Sequence, residues 1–163
     1  MLVAVVSDTH LPRGKRRIPD GCVERMREAD LIVHAGDFSV ASVLDELEAL
    51  GPPVVAVHGN VDSEELRRRV PEAREVQLGG PRLAVVHDAG PSKGRLARMR
   101  LRFPEADAVV FGHSHIPLHE TGDDGFQIFN PGSPTDRRRQ PRHTMGIARV
   151  ERGRIAFEHV FLD

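Results

Sequence analysis

Cysteine is almost missing from this chain, because Cys22 is the only one in 163 residues. A single cysteine excludes an internal disulfide and a cysteine-rich structural zinc site, and it is typical of a reducing compartment. Cys22 lies in a segment with helical spacing, so we expect a core residue rather than a nucleophile. Tryptophan and tyrosine are absent, which makes ultraviolet absorbance unsuitable for measuring metal-to-protein ratios.

An excess of charge of one sign is also missing, since the formal net charge is -1 at pH 7. This balance argues against a general nucleic-acid or membrane-surface binder, and we expect no dedicated nucleic-acid surface. No apolar run approaches the roughly 18 residues of a membrane span. The apolar start at residues 1–6 has no basic lead and is too short for a signal peptide. We therefore expect a cytoplasmic protein without a membrane partner, in which residues 1–163 form a single domain.

The first half of the chain alternates apolar strands with helical segments. Continuous apolar runs at residues 2–6, 31–34 and 54–57 indicate strands covered on both faces, and helix-length spacers separate them. Pro19 and Ser39 precede the spacers, and Ser39 is expected to cap the second helix. This order predicts parallel strands joined by right-handed crossovers. In such sheets, ligands bind beyond the carboxyl ends of the strands.

The second half is more mixed, with a helix expected between residues 92 and 103. Its expected strands lie at residues 75–78, 82–86, 108–111, 116–120, 126–129, 144–150 and 154–161. The last two strands alternate apolar and polar residues, which predicts a partly antiparallel second sheet. The whole pattern predicts an α/β fold of two packed sheets with helices outside.

Residues that bind metals follow several of these strands. His113 and His115 follow the apolar run at residues 108–111, and two residues at i and i+2 of an extended backbone point to the same side. The same spacing relates Asp8 and His10. Each pair alone is a weak signal, because short motifs arise by chance. The full set at strand ends comprises Asp8, His10, Asp37, Asn60, His87, His113 and His115.

Seven donors exceed the needs of one tetrahedral ion and suit two ions with a bridging carboxylate. Mixed imidazole and carboxylate ligands favour Mn, Fe, Zn or Ni over Ca or Mg. We expect Mn, with Fe, Zn, Ni or Mg as the other candidates. A pair of ions about 3.5–4 Å apart promotes in-line displacement at phosphorus. The candidate substrates are therefore a small phosphodiester or phosphomonoester.

The order Asp-x-His, Gly-Asp, Gly-Asn, His, Gly-His-x-His resembles the calcineurin-like metallophosphoesterase superfamily over essentially the whole chain. The short length is similar to its small bacterial and archaeal phosphodiesterase subfamily, a relative of the metallophosphoesterase-fold subunit of retromer. The resemblance implies a four-layer sandwich, a homodimer or homotetramer, and hydrolysis by a water or hydroxide activated at a dinuclear centre. It assigns Asp8, His10 and His115 to one metal, Asn60, His87 and His113 to the other, and Asp37 to the bridge.

Two positions depart from the family pattern. Many members carry a histidine acid where this chain has Val61, which cannot donate a proton, and many carry glycine where it has Asp88. His58 and His34 are nearby candidates for the acid, although a structural or orienting role is the more frequent one for each. Asp62 keeps the family's downstream acid and is expected to orient the ligands from behind.

The loop after residue 129 supplies the candidate substrate contacts. Asn130 and Ser133 belong to an Asn-Pro-Gly-Ser motif that also occurs in the subfamily, and Arg137 opens a run of three arginines. We expect these side chains to contact the phosphate, against the alternatives of a tight turn and a solvated loop.

Two functions remain at this point. The first is a metal-dependent phosphoesterase in which Asp37, Asn60 and His58 take part in catalysis, with a diester preferred over a monoester. The alternative is a catalytically weak or inactive scaffold of the same fold that binds a protein partner. The complete set of seven ligands favours the enzyme.

Overall fold

The computed structural model describes all residues from 1 to 163, in ten strands and four helices. The strands are β1 (Leu2–Val6), β2 (Leu31–His34), β3 (Val54–Ala56), β4 (Ala73–Gln77), β5 (Arg82–Val86), β6 (Ala108–Val110), β7 (Leu118–Thr121), β8 (Gln127–Asn130), β9 (Thr144–Glu151) and β10 (Arg154–Phe161). The helices are α1 (Asp20–Glu28), α2 (Ala41–Glu48), α3 (Glu64–Arg69) and α4 (Arg95–Arg102). None of these helices has the length and apolarity that crossing a membrane requires.

The strands form two mixed sheets of five. The first has the order β10-β9-β1-β2-β3 and the second β4-β5-β6-β8-β7. Strands β1, β2 and β3 are parallel, and so are β5, β6 and β8. The predicted α/β fold of two packed sheets flanked by helices is confirmed.

The C-terminal strands do not join the sheet that their alternation suggested. Strand β9 pairs antiparallel with β1, with Val5 opposite Gly146, so β9 and β10 extend the first sheet. The expectation that they build the second sheet was wrong. Alternation reports that one face is more polar than the other, but it does not select a pairing partner.

Strand β1 shows why its sequence is apolar throughout. Val3 and Val5 lie in the core between the two sheets, together with residues of β5 and β6. Ala4 and Val6 face the opposite way, into the core beneath α1 and α2. A separate cluster packs α4 on the second sheet. The result is four layers, helix-sheet-sheet-helix, and a central strand buried on both faces.

Helix α1 begins at Asp20 directly after Pro19, as the sequence predicted, whereas the start of α2 differs from the prediction. Ser63 caps α3 by accepting a hydrogen bond from the Leu66 N–H at 3.3 Å. Ser39 does not cap α2, which begins at Ala41 after Val40 and has no side-chain cap. The Ser39 backbone has φ of 93° and donates its N–H to Asp62 at 2.8 Å. The hydrogen bond to Asp62 therefore holds Ser39 in a backbone conformation that differs from that of a helix-capping residue.

Candidate metal centre

All seven predicted ligands lie at one edge of the paired sheets. Asp8 and His10 follow β1, Asp37 follows β2 and Asn60 follows β3, while His87 follows β5 and both His113 and His115 follow β6. Because these five strands are parallel within their sheets, their carboxyl ends open onto the same cleft. The topology therefore brings residues from positions 8 to 115 together.

The first group of donors contains Asp8, His10 and His115. The Nε2 atoms of the two histidines are 3.2 Å apart, and they lie 3.7 and 3.5 Å from Oδ1 of Asp8. The Nδ1–H of His115 donates to the Asp136 carbonyl at 2.5 Å, which directs the Nε2 lone pair towards Asp8. Two nitrogen atoms and one carboxylate oxygen thus converge on one point.

The second group contains Asp37, His87 and His113. The Oδ1 atom of Asn60 lies 3.0 Å from Nε2 of His87 and 3.2 Å from Nδ1 of His113, so Asn60 belongs to the same group. His87 donates its Nδ1–H to the Ala35 carbonyl at 2.7 Å, and its Nε2 faces the centre.

Asp37 stands between the two groups. Its Oδ2 atom is 3.6 Å from Nε2 of His10 and 3.3 Å from Nε2 of His87, which belong to different groups. Its Oδ1 atom accepts the Val61 N–H at 3.1 Å. One oxygen of Asp37 is therefore fixed by the backbone and the other faces both groups, as a bridging ligand would.

A divalent ion fits the first group because of one unpartnered atom. Oδ1 of Asp8 is buried and has no hydrogen-bond partner, although Oδ2 accepts from the Ser7 hydroxyl at 2.7 Å and the His113 N–H at 3.0 Å. A buried carboxylate oxygen without a partner is costly unless a cation neutralises it. The donor set of imidazole, carboxylate and amide oxygen suits a first-row divalent metal in each group.

Two glycines leave space for this arrangement. A Cβ atom at Gly112 would lie 2.6 Å from Oδ2 of Asp8 and would also meet the Ser7 hydroxyl. A Cβ atom at Gly59 would lie 2.6 Å from the backbone nitrogen of Asp37 and would also meet its carboxylate. The carboxylates of Asp8 and Asp37 therefore pack against the backbone of Gly112 and Gly59, where the Cβ atom of any other residue would clash.

The pKa shifts of Asp37 and His115 favour the unprotonated forms that bind cations, whereas the shift of His87 favours its protonated form. Burial alone raises the pKa of Asp37, but the adjacent His87 ring and the Val61 N–H outweigh it and hold the pKa below the usual range. Burial lowers the pKa of His87, and the carboxylates of Asp37 and Asp8 outweigh it and raise the pKa. Burial lowers the pKa of His115 and, together with the charge of Arg138, outweighs the Asp8 carboxylate and the Asp136 carbonyl, which raise it.

The backbone of the ligands is not extended, contrary to the sequence prediction. The φ angles are 57° at Asp8, 44° at His10, 60° at Asp37, 70° at His113 and 61° at His115. Strands β1 and β6 end at Val6 and Val110, before either motif begins. His113 and His115 reach different groups, as the family resemblance implied. Left-handed conformations of this kind cluster at functional sites, and Asp and His tolerate them better than most residues do.

Asp62 holds the loops that carry Asp37 and Asn60. It is 6% exposed, and its carboxylate accepts three backbone N–H groups: from Asp37 at 2.9 Å, Gly59 at 2.7 Å and Ser39 at 2.8 Å. This is the orienting position that the sequence suggested for Asp62, reached through backbone rather than through a ligand side chain.

His34 also lies behind the ligands. Its Nδ1 accepts the Gly36 N–H at 3.0 Å and its Nε2–H donates to the Thr9 hydroxyl at 3.0 Å, which links the loops after β1 and β2. The ring stacks on Phe38 with centroids 3.5 Å apart. Burial, followed by the charge of His87, lowers the pKa of His34 to about 3. A neutral, fully buried ring cannot deliver a proton to substrate, so His34 is not the missing acid.

Asn130 and Ser133 are fully buried, so the expectation that they contact substrate was wrong. Asn130 donates Nδ2–H bonds to the Gly112 carbonyl at 3.0 Å and the Ser114 hydroxyl at 3.2 Å. Ser133 donates to the Asp8 carbonyl at 2.8 Å and accepts two backbone N–H groups. Their polar atoms are occupied by the backbone, and both residues clasp the loops that carry the ligands.

Of the three consecutive arginines, the one near the centre is Arg138 and not the predicted Arg137. Arg137 donates to the Gln140 carbonyl of its own loop at 2.6 Å. Arg138 reaches the centre instead, with Nη1 3.5 Å from the carbonyl of His113. The sequence contained the run but no signal that distinguished its three arginines.

His58 occupies a cleft beside the second group. The cleft encloses about 260 Å³ and is lined by His58, Asn60 and His87 among others. His58 is half-buried, and its backbone N–H bonds the Pro71 carbonyl at 3.0 Å. Val61, at the position of the usual histidine acid, is 47% exposed. His58 is therefore the non-ligand imidazole with access to the region around Asn60.

Three comparisons agree with this geometry. Residues 1–153 match the family described as the calcineurin-like phosphoesterase superfamily domain. A probable metallophosphoesterase of Methanothermobacter thermautotrophicus is 35% identical over 137 residues, covering 83% of this chain and 78% of the relative. A phosphodiesterase of Methanocaldococcus jannaschii is 25% identical over 145 residues, covering 81% of this chain and 83% of the relative.

Solved structures share the fold. Vps29 of Entamoeba histolytica complexed with zinc superposes with a TM-score of 0.79 at 20% identity over the full length of both chains. A novel archaeal phosphodiesterase gives a TM-score of 0.73 at 21% identity, covering 98% of this chain and 100% of the other. The resemblance inferred from the five motifs is confirmed: this chain belongs to the calcineurin-like phosphoesterase superfamily.

Proposed function

We propose that this protein is a metal-dependent phosphodiesterase that uses two divalent ions. The observation that carries the proposal is the meeting of two donor groups at Oδ2 of Asp37, beside the unpartnered Oδ1 of Asp8. Relatives named metallophosphoesterase and phosphodiesterase support the same reaction class.

Some residues of the centre would bind the ions, and others orient the residues that bind them. Asp8, His10 and His115 would hold one ion, Asn60, His87 and His113 the other, and Asp37 would bridge them. Bound there, the ions supply Lewis-acid chemistry that lowers the pKa of a water and stabilises charge on phosphoryl oxygens.

The hydrogen bonds of the ligands fix their direction before any ion arrives. The carbonyls of Ala35 and Asp136 take the Nδ1 protons of His87 and His115, so each Nε2 keeps its lone pair for the centre. The Val61 N–H turns Asp37 so that Oδ2 faces both groups. No reorientation of these side chains is then required on binding.

The leaving group needs a proton, and we propose His58 as its donor. His58 lines the cleft next to Asn60 and His87, whereas the aliphatic Val61 has no proton to give. In this arrangement the alkoxide leaves towards the cleft and takes the imidazolium proton of His58. A phenolate leaving group needs no such help, so loss of His58 should slow alkyl diesters far more than nitrophenyl diesters.

Manganese and a cytoplasmic location are part of the same proposal. Mixed nitrogen and oxygen ligands suit first-row divalent ions, and we propose Mn as the one used, with availability rather than affinity selecting it. Cys22 is buried, and burial raises the pKa of its thiol to about 12, so we do not expect this thiol to form a disulfide. We propose a homodimer or homotetramer as the assembly, as in the subfamily that the sequence resembles.

A paired rate assay tests the proposal. Metal-stripped protein is reloaded with Mn²⁺ and assayed with bis(4-nitrophenyl) phosphate and with 4-nitrophenyl phosphate. We expect turnover that favours the diester and is lost in His115→Ala. His119→Ala is the matched control, because His119 is exposed on β7 outside both groups and bonds only Gln127. Retained activity in His115→Ala would contradict the assignment of the centre.

The competing function is a partner-binding scaffold of the same fold. It is favoured by two exposed apolar side chains near the ligand loops, Val61 and Ile116, each 47% exposed, and by the structural likeness to Vps29. Silence with both substrates, in protein shown to hold two ions, would favour this scaffold over the enzyme.

A further inference from the structure

Two basic loops border one side of the metal centre, although the whole chain carries a net charge of only -1. The first contains Arg13, Lys15, Arg16 and Arg17, and the second contains Arg137, Arg138, Arg139 and Arg142. An ion pair joins them, with Nη1 of Arg16 3.4 Å from Oδ2 of Asp136. Lys15, Arg16 and Arg17 of the first loop also line a pocket with Pro134 and His143, which flank the arginines of the second. Basic charge is thus concentrated next to the site.

Arg138 is the member of this surface held closest to the ligands. Its Nη1 lies 3.5 Å from the carbonyl of His113, and its backbone N–H bonds Oδ1 of Asp136 at 3.4 Å. The carbonyl of Asp136 in turn accepts the Nδ1–H of His115. Arg138 is therefore attached to one residue from each metal group.

The donors of Arg138 are largely free. Its guanidinium makes a single long contact, whereas Arg67 donates to three backbone carbonyls and Arg98 to three others. Arg67 and Arg98 therefore hold loops in place through their hydrogen bonds. An exposed guanidinium with unused donors beside a phosphoester site is suited to a phosphate, which it binds with a planar fork.

We infer that Arg138 binds a second phosphate of the substrate, next to the diester that is cleaved, so the preferred substrates are phosphate-bearing nucleotides such as short oligonucleotides. The inference rests on the proposed phosphodiesterase function and names its substrate class. It also revises the expectation that no surface suits nucleic acid. Recognition depends on phosphate rather than base, because tryptophan and tyrosine are absent and the most exposed phenylalanine, Phe161, lies under Arg142.

Matched chromogenic esters test this directly. The first pair is thymidine 5′-(4-nitrophenyl phosphate) with and without a 3′-phosphate, and the second is thymidine 3′-(4-nitrophenyl phosphate) with and without a 5′-phosphate. In the Mn²⁺-loaded protein we expect the added phosphate of one pair to raise kcat/KM about tenfold, as one charge-assisted hydrogen bond would. Sodium chloride should reduce the gain, because the contact is exposed.

Two variants identify the residue responsible. Arg138→Gln should remove the gain from the added phosphate, whereas Arg137→Gln should keep it. The second variant removes the same charge from the adjacent position, whose guanidinium is turned to Gln140. Equal loss in both variants, or no gain in the unaltered protein, would overturn the inference while plain diesters were still cleaved. Failure to cleave any ester, including bis(4-nitrophenyl) phosphate, would overturn the proposed function as well.

Discussion

Replacing Asp62 by alanine should destabilise the protein more than its single side chain suggests. The carboxylate accepts three backbone N–H groups, of which those of Asp37 and Gly59 are buried and that of Ser39 is partly buried, and no other acceptor serves those groups. An unsatisfied buried donor costs about 1–3 kcal/mol. With partial entry of water, we expect the free energy of unfolding of Asp62→Ala to fall by about 3–5 kcal/mol.

Asp62→Asn provides an intermediate step in the same series. Its amide oxygen can replace Oδ2 and keep the bonds from Asp37 and Gly59, but its NH₂ group then faces the Ser39 N–H. One acceptor is lost, so we expect a decrease of about 1–3 kcal/mol.

Urea denaturation of the metal-stripped proteins measures both effects, and calorimetric Mn²⁺ titration measures the consequence for the centre. Asp107→Ala is the control, because Asp107 accepts a single exposed backbone N–H, from Arg82 at 2.7 Å. The three-donor reasoning predicts that Asp62→Ala is the least stable protein, Asp62→Asn is intermediate and the unaltered protein is the most stable. It fails if Asp62→Ala is no less stable than Asp107→Ala, or if it binds Mn²⁺ with unchanged affinity.

Three further predictions concern the site. Asp37→Ala should lose both metal retention and turnover while circular dichroism stays unchanged, and normal turnover would show that Asp37 is not the bridge. Gly112→Ala should weaken Mn²⁺ binding at least about tenfold by displacing Asp8, whereas Gly80→Ala, in an exposed turn with its nearest contact at 3.6 Å, should bind normally. His34 has a pKa lowered to about 3, so its contribution to stability is complete above pH 6.5 and is lost as the pH falls towards 3. Between pH 7 and pH 5, metal-stripped protein should therefore lose about 2 kcal/mol more than His34→Asn does, and equal losses in urea denaturation would refute that sign.

The sequence predicted the strands well where burial dictated the pattern. Strands β2 and β6 begin at the predicted residues, because each changes abruptly from a polar loop to a buried apolar run. The pairing of β9 with β1 could not be read in the same way. Leu2 and Arg149 are opposite each other although 147 positions separate them, and periodicity carries no information about such distant partners.

The convergence of the predicted ligands could be foreseen for a chemical reason, and its geometry could not. Parallel strands deliver their C-terminal residues to one edge, so residue type and position were sufficient to select Asp8, Asn60 and His87. The left-handed backbone was missed because the polar residues were treated as continuations of the strands. Asn130 and Ser133 were assigned to substrate because their type suits it, but backbone carbonyls and N–H groups use the same atoms.

The buried polar residues around the centre form one positioning network. Ser133 and Thr135 donate to the carbonyls of Asp8 and Thr9 at 2.8 and 2.6 Å, and Asn130 donates to that of Gly112. These bonds hold loops whose backbone conformations are costly, at about 1–3 kcal/mol for each left-handed residue that is not glycine.

Apolar packing alone could not offset the free-energy cost of these left-handed conformations. The turned backbone exposes carbonyl groups that need hydrogen-bond donors, and only polar side chains supply them. The hydrogen bonds come from the protein itself, so the ligands converge before a metal arrives. Ions entering such a centre add their binding free energy to a fold that already exists, rather than supplying the free energy of folding. A scaffold that bound only a protein partner would have no use for the buried, unpartnered oxygen of Asp8 that this network keeps in place.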